Sequence, residues 1–202
     1  MNILMINGSP RKEGNTFTAL SEIAKTLKEE GIDSEIVWIG TKPMQGCIAC
    51  GKCAGEGRCI FHDDAYDRIC ELADKADGLV IGSPVYYAGP NGTLCALLDR
   101  VFYSIGARLS YKPAASVAVC RRSGATATFD RLNKYFTDNN MPVVSTFYWN
   151  NVHGRTPGEA ALDGEGMQTM RAIARNMAWL VRNLKDSAVP EAEKRIKTNF
   201  IR

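Results

Sequence analysis

Four cysteines and one glycine-rich loop are the residues of this chain whose types and spacing could do chemistry. Cys47, Cys50, Cys53 and Cys59 form the pattern C-x2-C-x2-C-x5-C. Three thiols at consecutive three-residue steps suit the close thiolate geometry of a cubane cluster better than zinc, whose C-x2-C pairs are usually separated by a longer loop. Free thiols or a reversible disulfide remain open, as does zinc, because Gly46, Gly51, Gly55 and Gly57 would also suit a plain flexible loop. The second constellation is Gly8-Ser9-Pro10-Arg11-Lys12-Glu13-Gly14-Asn15-Thr16, placed after the apolar run Asn2 to Ile6 and before an amphipathic segment. A strand that stops in a Gly- and hydroxyl-rich turn, with a helix start directly behind it, aims free backbone N–H groups and the positive end of a helix dipole at one spot. That spot suits a phosphate. Ser9, Asn15 and Thr16 can add side-chain hydrogen bonds, and Arg11 can add a charge-assisted one. Asn15 stands where a Walker A motif needs Lys, and no G-x-G-x-x-G occurs here, so neither a nucleoside triphosphatase nor a dinucleotide fingerprint is indicated. A plain Gly/Pro turn with an Asn or Thr helix cap is the competing reading.

Two further loops carry suggestive residues. Ser83-Pro84-Val85-Tyr86-Tyr87-Ala88-Gly89-Pro90-Asn91-Gly92 sets two adjacent tyrosines between a proline and a glycine, where they can flank a flat heteroaromatic ring. Arg121-Arg122-Ser123-Gly124-Ala125-Thr126 offers backbone donors and two cations. A flat ring together with a phosphate suggests a mononucleotide. Tyrosines packed on a neighbouring helix, and a solvated basic turn, are the plainer alternatives for these loops.

These loops need a scaffold. Apolar residues at helical spacing mark helices at Phe17 to Leu27, Ala65 to Ala76, Leu94 to Ile105, Phe129 to Phe136 and Met167 to Leu184. Between them lie β-rich runs at Asn2 to Ile6, Ser34 to Ile39, Gly78 to Ser83, Ala114 to Cys120 and Pro142 to Tyr148. Gly78 to Ser83 is almost uniformly apolar, as a strand covered on both faces should be. Strands alternating with helices predict an α/β fold with a parallel sheet between two helical layers, and right-handed crossovers favour five strands in the order 2-1-3-4-5. Ligands of such a sheet bind at the carboxyl ends of its strands, so the loops after Ile6, Ser83 and Cys120 should meet. The methionines of the last helix read as core filler, Cys70, Cys95 and Cys120 as small core residues, and His62 and His153 as surface residues.

The chain has 202 residues, 45% hydrophobic and 23% charged, with a net charge of +3. One domain is expected at 1–186, followed by a C-terminal tail at 187–202 that could serve as an arm. The charge is too small to argue for nucleic acid, and no apolar stretch reaches a membrane span. With no secretory signal at its start, a cytoplasmic protein is expected.

The chain resembles the flavodoxin-like NAD(P)H-dependent FMN reductase family. Gly8-Ser9-Pro10-Arg11 with Gly14-Asn15-Thr16, Ser83-Pro84-Val85-Tyr86-Tyr87 and Asp99-Arg100 carry that likeness. Met141-Pro142-Val143-Val144, Tyr148-Trp149-Asn150 and Asp163-Gly164-Glu165-Gly166 extend it to the iron-sulfur flavoprotein-like branch, and together the segments span nearly the whole chain. The resemblance implies a flavodoxin-like three-layer fold and FMN, its phosphate held by Ser9, Arg11, Asn15 and Thr16 and its ring lying along Pro84, Val85, Tyr86 and Tyr87. Asn91 and the segment Arg122, Ser123, Gly124 and Ala125 would complete the cofactor contacts, the latter stabilising negative charge on the reduced ring. It further implies a 4Fe-4S cluster on the four spaced cysteines. No separate dinucleotide domain is visible, so NAD(P)H would bind transiently as donor, with a small-molecule acceptor, or ferredoxin as donor through a cluster. A flavodoxin-type electron carrier without its own substrate is the alternative. A homodimer or homotetramer is expected, because the flavin site of one small domain is shallow and Phe147-Tyr148-Trp149 adjoin a long loop, 150–166, with no evident partner in its own sheet.

Overall fold

Asn2–Asn7 (β1) is buried at every position after the first and forms the middle of a parallel sheet. The computed structural model describes residues 1–194, 196, 198 and 200. On one side β1 pairs with Asp33–Trp38 (β2), and on the other with Gly78–Tyr86 (β3). β3 pairs in turn with Ala114–Cys120 (β5), and β5 with Asn151–His153 (β6). The parallel path β2-β1-β3-β5-β6 is the doubly wound order 2-1-3-4-5. A two-residue strand, Gly89–Pro90 (β4), folds back antiparallel on the end of β3 as a sixth strand. It lies off the main path and was not visible in the sequence pattern.

Alternation along the strands divides the core in two. Leu4, Ile6, Leu79 and Ile81 face Asp64–Lys75 (α3), Gly92–Ile105 (α4) and Ala125–Asp138 (α5). Ile3, Met5, Val80 and Val117 face Asn15–Glu29 (α1) and Gly164–Leu184 (α6). Met167, Met170 and Met177 are buried there, as core filler should be. A single turn, Cys53–Glu56 (α2), interrupts the long loop between β2 and α3.

The fifth strand is displaced from its expected position at Pro142 to Tyr148. Pairing with β5 begins there, since the Ala114 N–H donates to Pro142 O and the Val144 N–H to Ala114 O, both at 2.8 Å. The chain then leaves the edge. The buried carboxamide of Asn150 donates to Ser116 O at 3.0 Å, and the Thr146 hydroxyl donates to Asn150 Oδ1 at 3.2 Å, so side chains replace the ladder over these residues. Phe147, Tyr148 and Trp149 swing out into solvent on this detour. Regular pairing resumes at β6, opposite Ala118 to Cys120. The loop 150–166 therefore does have partners in its own chain, which removes one ground for expecting a neighbouring subunit. Residues 188–194 form neither helix nor strand, and the expected tail at 187–202 lies partly outside the described residues.

Candidate functional site

The loop after β1 is drawn into a tight curl by its own polar groups. Asn7 is fully buried; its Oδ1 accepts from the Ser9 N–H at 3.1 Å and its Nδ2 donates to Lys12 O at 3.0 Å. Ser9 Oγ accepts from the Arg11 N–H at 3.1 Å, and Trp38 Nε1 donates to Ser9 O at 2.7 Å. Gly8 is required by packing, because a Cβ there would stand 2.5 Å from a Leu94 methyl and 2.9 Å from Gly82 O. Asn7 and Trp38 belong to this loop's machinery although neither stands in a recognisable motif.

Among the described residues five helices run longer than one turn, and three of them are capped by a side chain: α3 by Asp63, α4 by Asn91 and α6 by Asp163. The other two are α1 and α5. Each begins after a glycine, Gly14 or Gly124, with no side-chain cap. The first N–H groups of a helix have no partner inside it. Here two such sets of donors, both at the carboxyl edge of the sheet, are left for something else to satisfy. Arg11, Arg121, Arg122 and Arg155 stand on the loops at that edge and form no ion pair among the described residues. Free donors and unpaired cations at one edge suit a phosphorylated ligand.

The structure gives the sequence-derived contact residues distinct roles. Ser9 and Thr16 are buried in the loop and first helical turn, and Arg11 is exposed. Asn15 is committed at both ends of its amide: Nδ2 donates to Thr156 O at 2.9 Å and Oδ1 accepts from the Ala160 N–H at 3.1 Å. Asn91 is likewise committed, donating to Gly8 O at 2.7 Å and capping α4 through the Thr93 N–H at 3.1 Å. Their side chains thus pin loops together, where the sequence suggested direct contacts.

Pro84 and Val85 are half-buried, and Tyr86 and Tyr87 project from the β3–β4 hairpin. Tyr87 and Ala88 form its turn, with φ of 50° and 56°. Two-residue hairpin turns of this hand favour Asn-Gly or Gly-Gly, and a left-handed non-glycine residue costs about 1–2 kcal/mol. The loop after β5 packs directly beneath. Gly124, at φ 88°, would place a Cβ 2.8 Å from Ala88 Cα and 3.0 Å from Val85 Cγ1. Arg122 and Ser123 are exposed beside it and Ala125 is buried at the start of α5.

The cysteine loop follows a different course. It leaves the carboxyl end of β2, but its four thiols gather along α4, where Cys47, Cys50, Cys53 and Cys59 line a pocket of about 110 Å³ with Ile48, Phe61, Tyr103 and Arg100. Arg100 lies eight residues beyond the start of α4, a rise of about 12 Å along the axis. Cys53 Sγ donates a long hydrogen bond to Tyr103 O at 3.6 Å, and the Cys59 N–H donates to Tyr66 Oη at 2.7 Å. No group of three or more His, Cys, Asp or Glu side chains stands at metal-ligand geometry among the described residues, so the pattern brings the four thiols to one pocket without drawing them into a ligand set. Burial pushes the thiols of Cys70, Cys95 and Cys120 up from their ordinary pKa; Cys70 and Cys120 are buried core residues as expected, whereas Cys95 is only half-buried. His62 and His153 are exposed, each beside a carboxylate, Asp67 and Asp163 respectively.

A doubly wound sheet with free helix N-termini and an aromatic hairpin at its carboxyl edge defines a mononucleotide-binding protein of flavodoxin-like architecture. Over residues 1–155 the chain matches the family model described as NADPH-dependent FMN reductase, and it belongs to that family of FMN-dependent oxidoreductases. It is similar to an iron-sulfur flavoprotein of Methanocaldococcus jannaschii, 34% identical over 193 residues that cover 92% of this chain and 100% of the relative. Another iron-sulfur flavoprotein, from Methanosarcina thermophila, is 31% identical over 183 residues, 88% of this chain and 93% of that one. Among solved structures, RosB with a bound 8-demethyl-8-formylriboflavin 5′-phosphate shares the fold at a TM-score of 0.70 and 15% identity, covering 100% of this chain and 92% of that one. No helix among the described residues is long and apolar enough to cross a membrane.

Proposed function

We propose that this chain carries electrons from NAD(P)H through FMN to a small-molecule acceptor, and that its four spaced cysteines hold a 4Fe-4S cluster able to exchange electrons with ferredoxin. The observation that carries the flavin half is the pair of uncapped helix N-termini, Gly14 before α1 and Gly124 before α5, opening on one edge of the sheet among unpaired arginines. Bound there, FMN would supply the hydride and electron chemistry.

The residues divide the work. The N–H groups at the start of α1, with Ser9, Thr16 and Arg11, are the proposed holders of the phosphate, and Asn15 and Asn91 fix the loop that presents them. Pro84, Val85, Tyr86 and Tyr87 would flank the ring on one side, leaving the other open for a nicotinamide and then an acceptor. Arg122 and the N–H groups of Ser123, Gly124 and Ala125 would stabilise negative charge as the ring is reduced, without losing or gaining a proton themselves.

For the cluster, the chemistry of the donor set is the test of fit. Four thiols line one pocket with a buried cation at its wall, and the curated relatives that cover nearly the whole chain are named iron-sulfur flavoproteins. The exposed aromatics Phe147, Tyr148 and Trp149 support self-association as a homodimer or homotetramer.

Steady-state turnover with NADH or NADPH and an artificial acceptor tests the first reading. Saturable, flavin-dependent oxidation of the nicotinamide with ping-pong kinetics is expected. Bound FMN without turnover would favour the electron-carrier alternative. Iron and sulfide analysis of anaerobically purified protein tests the second.

A further inference from the structure

The inward side of α4 is apolar, with Leu94, Leu97, Leu98, Val101, Phe102 and Ile105 buried, except at one position. Arg100 is the largest fully buried side chain among the described residues. A charge removed from water must be paired and hydrogen-bonded to be tolerated. Arg100 Nη1 donates to Asp63 Oδ2 at 2.6 Å and to Gln45 O at 3.3 Å, Nη2 donates to Phe61 O at 2.5 Å, and the guanidinium lies 4.6 Å over the Tyr66 ring. Gln45 and Phe61 stand two residues outside Cys47 and Cys59 respectively. One guanidinium therefore ties together the two ends of the segment that carries all four thiols. Of its three nitrogens, Nε is the one buried without a partner, in a side chain that lines the cysteine pocket.

We propose that Arg100 is a positioning residue of the cysteine pocket: its guanidinium clasps the two ends of the cysteine loop, and its free Nε–H and its charge favour the reduced state of the redox group the thiols hold. This rests on the cluster reading above. Asp63 does not cancel the effect, because it is partly exposed and water screens its far side, whereas Arg100 is wholly desolvated. A cluster gains negative charge on reduction, and hydrogen bonds and cations close to its sulfur atoms raise its reduction potential. A buried charged donor without a partner is costly unless a sulfur of the cysteine loop accepts it. Arginine suits this double task, since lysine could not span Gln45 O, Phe61 O and Asp63 with one planar fork.

The test compares anaerobically reconstituted full-length wild type with Arg100→Gln and Arg100→Lys. Its readouts are iron and sulfide content, cluster and flavin potentials from one redox titration, and cleavage within residues 46–60 in limited proteolysis of the apoprotein. For Arg100→Gln the expected result is retained iron and sulfide, a reduced-to-oxidised cluster ratio at fixed potential at least tenfold lower, equal to 59 mV for a one-electron couple, and an unchanged flavin potential. Arg100→Lys keeps the charge and should shift less, while both variants are cleaved faster in the cysteine loop. Unchanged cluster potentials in both variants would overturn the electronic role, and unchanged cleavage would overturn the clasp. If Arg100→Gln loses its metal or does not fold, the same comparison is made on Arg100→Lys, where wild-type potential and wild-type cleavage together refute the proposal. If the wild type itself takes up no iron or sulfide, the cluster reading and the electronic role fail together. Proteolysis then still decides the clasp.

Discussion

Gly124 lies so close to Ala88 that a single added methyl would stand 2.8 Å from the Ala88 Cα. The β3–β4 hairpin and the turn after β5 are thereby locked into one wall, with the exposed tyrosines on one member and an uncapped helix start on the other. Gly124→Ala should push these members apart and also carry a left-handed penalty of about 1–2 kcal/mol. The expected outcome is a folded protein whose FMN affinity falls about tenfold or more, read by titrating apoprotein with FMN and following flavin fluorescence. Wild-type affinity would show that the two loops do not share one ligand.

Asn91 joins the phosphate loop to α4 through a hydrogen bond to Gly8 O and a helix cap. Replacing it by alanine removes the cap and leaves the buried Gly8 carbonyl without that donor, which should cost about 1–3 kcal/mol. Urea unfolding of the apoprotein measures this without interference from the cofactor. A loss below about 0.5 kcal/mol would mean that the loop holds its shape without Asn91.

The sheet was legible because its signals are local. Gly78 to Ser83 is apolar at all but its last position, as two covered faces require, and the helices keep their spacing. The last strand was misplaced because nothing in the composition of 142–148 announces that Asn150 will take over a backbone partner at Ser116. The phosphate loop could be placed from its glycines, yet the roles of Asn15 and Asn91 could not, because their partners at Thr156, Ala160 and Gly8 are set by tertiary packing. Arg100 was visible only as one half of an Asp-Arg pair. Its burial follows from the cysteine loop folding along α4, which no periodicity records.

Acid stability should depend on Asp163. This carboxylate caps α6 through the Gly166 N–H and accepts from the His153 N–H and ring. Burial opposes its charge, but those hydrogen bonds and the charge of His153 outweigh burial and hold its pKa below the ordinary carboxylate value. A carboxylate with a lowered folded-state pKa binds fewer protons when folded than when unfolded. Its contribution is therefore complete above about pH 4 and is lost as pH falls through the folded-state pKa. Asp163→Asn, which can still cap the helix, should flatten that part of the stability curve between pH 5 and 2 (about the span over which carboxylates titrate). Parallel curves for the two proteins would remove Asp163 from the account.

Self-association should depend on the detour at 145–149. Phe147, Tyr148 and Trp149 are exposed together, and the Tyr148 and Trp149 rings already pack on one another with centroids 5.3 Å apart. Sedimentation of the wild type should give a dimer or tetramer, and Phe147→Ser with Trp149→Ser should shift it toward monomer without loss of fold. A monomeric wild type with full flavin occupancy at micromolar concentration would refute the assembly.

The cysteine loop should prove separable from the core. Cys47 and Cys50 are exposed, Cys53 and Cys59 half-buried, and the described thiols make no disulfide. Arg100, Tyr66, Tyr103 and Arg108 tie the loop to the rest of the protein, and the Cys53 thiol reaches α4 only through a long hydrogen bond. Replacing Cys50 and Cys53 together by serine should therefore change stability by less than about 1 kcal/mol, in the range of surface substitutions, and leave FMN content intact. Iron and sulfide should be lost, and reduction by a low-potential donor should slow, while direct reduction by NAD(P)H survives. A double variant that lost both its fold and its flavin would show instead that the cysteines hold a structural metal, on which the arrangement of the loop, and through Arg100 that of α4, depends.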